Sequence, residues 1–117
     1  MKSVPPKLES RLRVSRAGQH LFGPGKAELL HYIAATGSIR TAAGELRMSY
    51  QRTWSLVQEM NTLFKKPLVV VTRGGGTGGG AALTPAGREV LACYTRMEKA
   101  AAAATRTDWA ALRRHLK

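Results

Sequence analysis

The sequence predicts a mainly α-helical fold, and three observations carry that prediction. Two short amphipathic helices follow each other across about three residues, each opened by a serine. A β-branched run and a glycine-rich tract come directly after them, and a long helical stripe closes the chain. The elements can be justified in order. Residues 1–10 hold two prolines and little apolar surface and read as a flexible arm. Leu12 and Val14 alternate with Arg11, Arg13 and Ser15, a short half-exposed strand signal. After the break at Gly23-Pro24-Gly25, Leu29, Leu30 and Ile33 recur at helical spacing until Thr36-Gly37, so a first helix is expected over about 25–36 with Gly37 as its C′ residue.

Ser38 offers the next N-cap, and Ile39, Ala42, Ala43 and Leu46 form one apolar stripe on a helix of about two turns. Ser49 caps a third helix over about 49–64, with Tyr50, Trp54, Val57 and Phe64 on one face. Past Pro67, the run Leu68 to Thr72 reads as a strand and Ala81 to Leu83 as its partner. Six glycines within Gly74–Gly80 exclude helix or strand interior there, because too much backbone freedom would be lost. A hairpin of this kind directly after a helix-turn-helix is a wing. Thr84 and Pro85 then suit N-cap and N1 of a helix over about 85–104, with Trp109, Leu112 and Leu116 continuing the spacing. The expected organisation is the arm (1–10), a winged helix-turn-helix (11–84) and a C-terminal helical dimerisation segment (85–117).

Charge points to the partner. Nineteen Lys and Arg against seven Asp and Glu give +12 over 117 residues. The excess is spread along the chain, at +5 over residues 1–26, +3 over 27–83 and +4 over 84–117. Such a chain repels itself unless an acidic partner is near, and double-stranded DNA is the partner expected. A solubility charge and an anionic membrane surface are the alternatives to nucleic acid, but no unbroken apolar stretch exceeds five residues, as in Ala100–Ala104, so no membrane span is expected. Without an apolar leader, and with Cys93 as the sole cysteine, the expected location is the cytoplasm, on the nucleoid. His20, His31 and His115 are scattered, no acidic pair stands out and no Cys/His cluster exists, so neither catalysis, metal nor cofactor is expected. Cys93 reads as a packed thiol on the long helix.

The third helix turns Gln51, Arg52, Ser55 and Gln58 away from its apolar stripe. In a helix-turn-helix the second helix enters the major groove, where Arg pairs with guanine and Gln with adenine. Ser49 and its free helix-start N–H groups can hold a phosphate, the Tyr50 hydroxyl can reach one or its ring can pack, and Ser38 and Arg40 join them as DNA-binding candidates. In the wing, Arg73, Gly75, Thr77 and Gly79 would bring a cation and bare backbone N–H groups to phosphates or the minor groove. Gly74-x-Gly76-x-x-Gly79 formally matches a dinucleotide fingerprint, but so glycine-rich a tract satisfies many patterns, and no helix follows it. For a homodimer the candidates are Val90, Leu91, Tyr94 and Met97 on the long helix, with Leu29 and Ile33 open to either core or dimer.

The stretch Leu29 to Thr84 resembles the winged helix-turn-helix domain of the ModE family, the bacterial molybdate-responsive regulators. Gly37-Ser38-Ile39, Ala42, Met48-Ser49-Tyr50, Trp54, Glu59-Met60-Asn61 and the wing Arg73–Leu83 followed by Thr84 carry the likeness. More distantly, Ala-Ala…Leu-x-Met-Ser is similar to LysR-type DNA-binding domains. The resemblance implies a dimeric, sequence-specific transcription regulator of molybdenum-related genes. One departure is Arg47, where relatives usually place a turn glycine; a left-handed residue there would cost about 1–2 kcal/mol, so a reshaped turn is expected. Another is that no room is expected for the family's molybdate-binding domains, so no small-molecule effector is expected within this chain. Two alternatives stand beside this reading. One is an oxyanion sensor using Gly74–Gly80 as an anion nest, and the other is a sequence-indifferent nucleoid protein resting on the diffuse charge.

Overall fold

A computed structural model describes residues 4–72 and 80–117. The elements run β1 (Val14–Arg16), β2 (Gln19–Phe22), α1 (Pro24–Thr36), α2 (Ile39–Glu45), α3 (Tyr50–Leu63), β3 (Val69–Thr72), β4 (Gly80–Leu83) and α4 (Pro85–Arg113). The fold is the winged helix-turn-helix expected. Its core gathers Leu29, Leu30 and Ile33 from α1, Ile39 and Ala42 from α2, and Val57 and Met60 from α3. Phe22, Leu68, Leu83 and Tyr94 complete it.

The serine caps form as their sequence context requires. Ser38 Oγ accepts from the Thr41 N–H at 3.0 Å and Ser49 Oγ from the Arg52 N–H at 3.1 Å, each satisfying a donor the helix itself leaves open. Gly37 ends α1 in the left-handed region (φ 70°), its N–H bonded to the Ile33 carbonyl at 2.8 Å. The turn between α2 and α3 is not reshaped around Arg47. Arg47 itself takes the left-handed conformation (φ 55°). Its N–H bonds the Gly44 carbonyl at 3.2 Å and the Met48 N–H bonds the Ala43 carbonyl at 2.9 Å. That pair is a Schellman closure, and its two hydrogen bonds offset the steric cost of a side chain at this position.

The wing strands are antiparallel, with Val69 opposite Leu83 and Thr72 opposite Gly80. Both outer edges of the hairpin are tied to the body. Asn61 Oδ1 accepts from the Leu68 and Val69 N–H groups (2.9 and 3.1 Å), while Nδ2 donates to the Val69 carbonyl at 3.0 Å. On the other edge, the Ala81 N–H donates to the Gly37 carbonyl at 2.9 Å. Thr84 serves twice: its Oγ1 caps α4 at the Gly87 N–H and donates to the Pro67 carbonyl at 2.7 Å. Gly87 is buried against the Leu68 backbone so closely that no Cβ would fit.

Four further expectations need correction. The N-terminal strand signal belongs to a hairpin whose second strand, Gln19–Phe22, was not anticipated; β1 and β2 join through Ala17 and Gly18, both at positive φ as a two-residue hairpin turn demands. The fully buried face of α3 is Thr53, Val57 and Met60, while Tyr50 is exposed and Trp54 packs only half-buried against the core; the Thr53 hydroxyl is satisfied by the Ser49 carbonyl at 2.9 Å. The final helix does not end near 104 but continues to Arg113, since its alanine run favours helix throughout. Lastly, Leu29, Ile33 and Tyr94 lie in the core and have no surface left for a second subunit. Tyr94 packs edge-on against Phe22 and donates its hydroxyl to the Leu12 carbonyl at 2.8 Å, fixing the N-terminal segment to α4.

Candidate nucleic-acid interface

The reading surface follows from how α3 is buried. With Thr53, Val57 and Met60 turned inward, the opposite side carries Gln51, Ser55, Gln58 and Thr62, all exposed and recurring at helical spacing. Four polar side chains thus line one stripe that no described part of the domain covers. Arg52 flanks it, also exposed, on the same edge as Glu59, which pairs with Lys26 at 3.5 Å. Lys26 in turn donates to the Leu21 carbonyl at 3.0 Å, so this edge of α3 is braced by the start of α1 and by β2.

The other flank is aromatic. Tyr50, 43% exposed, stacks on Trp54 with ring centres 6.5 Å apart and planes within 15°. The Arg40 guanidinium of α2 lies over the Tyr50 ring at 4.7 Å. This cation–π contact holds a positive charge at the junction of the two helices, where a phosphate would pass. Trp54 is half-buried, with one side against the core and the other against Tyr50. Ser38 and Ser49, both spent as caps, mark the starts of α2 and α3. The start of α3 leaves the Tyr50 and Gln51 N–H groups at its positive end, suited to an anion.

The structure therefore brings Arg40, Ser49, Tyr50, Gln51, Arg52, Ser55 and Gln58 onto one continuous side, with Ser38 at the adjoining start of α2. Arg73, Gly75, Thr77 and Gly79 lie outside the described residues. So does most of the tract on which the oxyanion alternative rests. Asn61 and Thr53 are structurally important residues to which the sequence assigned no role. Asn61 stood within the quoted Glu-Met-Asn motif without a role. Its signal was position, a carboxamide at the end of a helix that turns back toward a strand. Among the described residues no group of three or more His, Cys, Asp or Glu is placed to hold a metal, and no helix is long and apolar enough to cross a membrane.

Two helices joined by a tight turn, an exposed polar stripe on the second and a hairpin fastened beside it define a DNA-binding winged helix-turn-helix domain of the transcription-regulator class. The chain belongs to the lysR family of bacterial regulatory helix-turn-helix proteins, whose profile matches residues 25–88. It is a family of regulators and not of enzymes. Within it the chain is similar to the molybdenum-pterin-binding protein MopB of Rhodobacter capsulatus, 44% identical over 85 residues that cover 73% of this chain and 31% of that protein. It is 41% identical to the molybdenum transport protein ModE of Azotobacter vinelandii over 62% of this chain and 27% of the relative. Against the DNA-binding transcriptional dual regulator ModE of Escherichia coli (strain K12) it is 40% identical over 77 residues, 65% of this chain and 29% of the relative. The chain thus spans about a third of the length of the curated relatives it matches.

Proposed function

We propose that this domain reads a specific double-stranded DNA site as a homodimer and regulates the transcription of molybdenum-related genes in the cytoplasm. The observation that carries the DNA reading is the α3 stripe. Gln51, Ser55 and Gln58, with Arg52 beside them, form a hydrogen-bonding row on a helix narrow enough for the major groove. Tyr50 and Arg40, with the open start of α3, supply the phosphate contacts that set register. The molybdenum assignment rests on the names of the relatives alone.

Support for the homodimer comes from α4. Its 29 residues make a rod of about 43 Å at 1.5 Å per residue. Over its first turns the inward stripe, Gly87, Val90, Leu91 and Tyr94, packs on the body. The same stripe continues through Ala101, Trp109 and Leu112, with Leu116 just past the helix, and none of these joins the core. Leu112 is 56% exposed and Leu116 50%. An apolar stripe that outlasts its own domain suits a second copy related by a two-fold axis. Of the long-helix candidates, Val90 and Leu91 are half-buried against the core, and Met97 keeps a broad exposed surface at 47%.

Arg52→Ala, measured on a promoter site and on random DNA at one salt concentration, tests the reading. The expected loss is about 1–3 kcal/mol on the specific site and little on random sequence. Equal losses on both would reduce Arg52 to a phosphate contact. A wild-type protein that binds both DNAs equally would replace the proposal with the sequence-indifferent alternative.

A further inference from the structure

A groove of about 650 Å³ opens between the N-terminal hairpin, the C-terminal end of α3 and the first half of α4. Its volume lies within the range of small-molecule sites. The floor is apolar, made by Phe22, Leu68 and Tyr94, all core residues whose polar atoms are engaged elsewhere. Leu21 and Phe64 form one wall, Val90, Cys93 and Met97 the other. The rim is different. Arg16, Lys65 and Lys66 stand at its edge against one carboxylate, Glu89, and all four are exposed. Among the described residues no ion pair engages any of the three cations.

An apolar slot with a positive mouth selects one chemistry. A neutral hydrophobe would leave the cations without a partner, and an inorganic oxyanion would leave the apolar walls uncovered. A second copy of the chain is disfavoured at this mouth, where three cations face one carboxylate and a chain with only seven Asp and Glu offers them few partners. We propose that the groove binds a small anionic amphiphile, an apolar chain or ring ending in a carboxylate, with the acid group between Arg16, Lys65 and Lys66. The groove shares no residue with the stripe Gln51, Ser55 and Gln58, so this inference stands apart from the DNA-reading proposal. It does abut Phe64 to Leu68, the link between α3 and the wing.

Calorimetric titration of the full chain with dodecanoate, below its micelle concentration, is the test. Saturable one-site binding is expected with a Kd below about 100 µM. Each methylene removed from the chain should weaken it about fourfold. Dodecanol should bind at least tenfold more weakly, as should dodecanoate to the Lys65→Glu/Lys66→Glu double variant. Cys93→Trp should obstruct the groove and weaken binding at least tenfold, while circular dichroism and DNA affinity stay at wild-type values. If Cys93→Trp itself unfolds, Leu21→Trp offers a second plug from the opposite wall with the same expectation. No saturation in folded wild type would overturn the proposal, and so would equal affinity for dodecanol and dodecanoate. A plug that splits a dimer and leaves dodecanoate binding intact would overturn it too, by giving the groove to a second copy.

Discussion

Asn61→Ala should loosen the wing more than any other single change on the surface of α3. The wild-type side chain makes three hydrogen bonds to the first residues of the wing, at 2.9, 3.1 and 3.0 Å. It closes the outer edge of β3 as a neighbouring strand would, pairing both the N–H and the carbonyl of Val69. Each bond contributes about 1 kcal/mol net, so the truncation removes about 3 kcal/mol. Water reaching this half-buried site reduces that toward about 2, and the unpaired groups left behind raise it toward about 4. Against a total stability of about 5–15 kcal/mol the loss is large. Urea titration followed by circular dichroism, at one fixed protein concentration, would measure it, and a Tm lower by about 10–15 °C should accompany it. Asn61→Asp keeps an acceptor for Leu68 and Val69 but loses the donation to Val69, so it should recover part of the difference. If Asn61→Ala stays within about 0.5 kcal/mol of wild type, or if Asp is no better than Ala, the edge-closing role assigned to Asn61 is wrong.

Three further changes have worked signs. Arg47→Gly removes the left-handed penalty of about 1–2 kcal/mol but adds chain entropy of about 0.5–1, so denaturation should show a net gain of about 0.5–1 kcal/mol; a neutral or destabilised variant would mean that the Arg47 side chain contributes contacts of its own. Burial, and then Glu98, raise the Tyr94 pKa above 10.0, so the folded chain holds a proton that the unfolded chain releases. The Tyr94 contribution to stability should therefore be constant below pH 10 and fall as pH climbs beyond it. Tyr94→Phe should lose about 1 kcal/mol at neutral pH with the Leu12 hydrogen bond and show a weaker alkaline decline; an identical decline would place its cause elsewhere. Leu112→Glu, outside the core, should turn a sedimenting dimer into a folded monomer with weakened DNA binding; a wild type that sediments as a monomer at micromolar concentration would refute the dimer.

The local punctuation of the chain was legible because each signal acts within a few residues. Ser38, Ser49 and Thr84 cap as expected, and Gly37 stops α1 as expected. What failed needed knowledge of what lies across the fold. The strand Gln19–Phe22 exposes two polar residues and buries only Phe22, so it shows no alternation until Val14 pairs with it. Leu29 and Ile33 have the same apolar character whether a core or a partner covers them, and only the placement of α2 and β4 against α1 decides.

Helix α3 shows how one such error bears on function. Residue type put Tyr50 and Trp54 on the buried face, yet the spacing Thr53, Val57, Met60 and Phe64 fits an inward stripe equally well. Thr53 can occupy the interior because the Ser49 carbonyl satisfies its hydroxyl locally. With a small residue inside at that turn, the helix rotates and two aromatic rings move toward the surface. There Tyr50 meets Arg40 from the preceding helix. The polar row Gln51, Ser55 and Gln58 then points straight away from the body, as a helix bound for a groove requires. A threonine that reads as a surface residue by composition thus sets the direction in which the reading face looks.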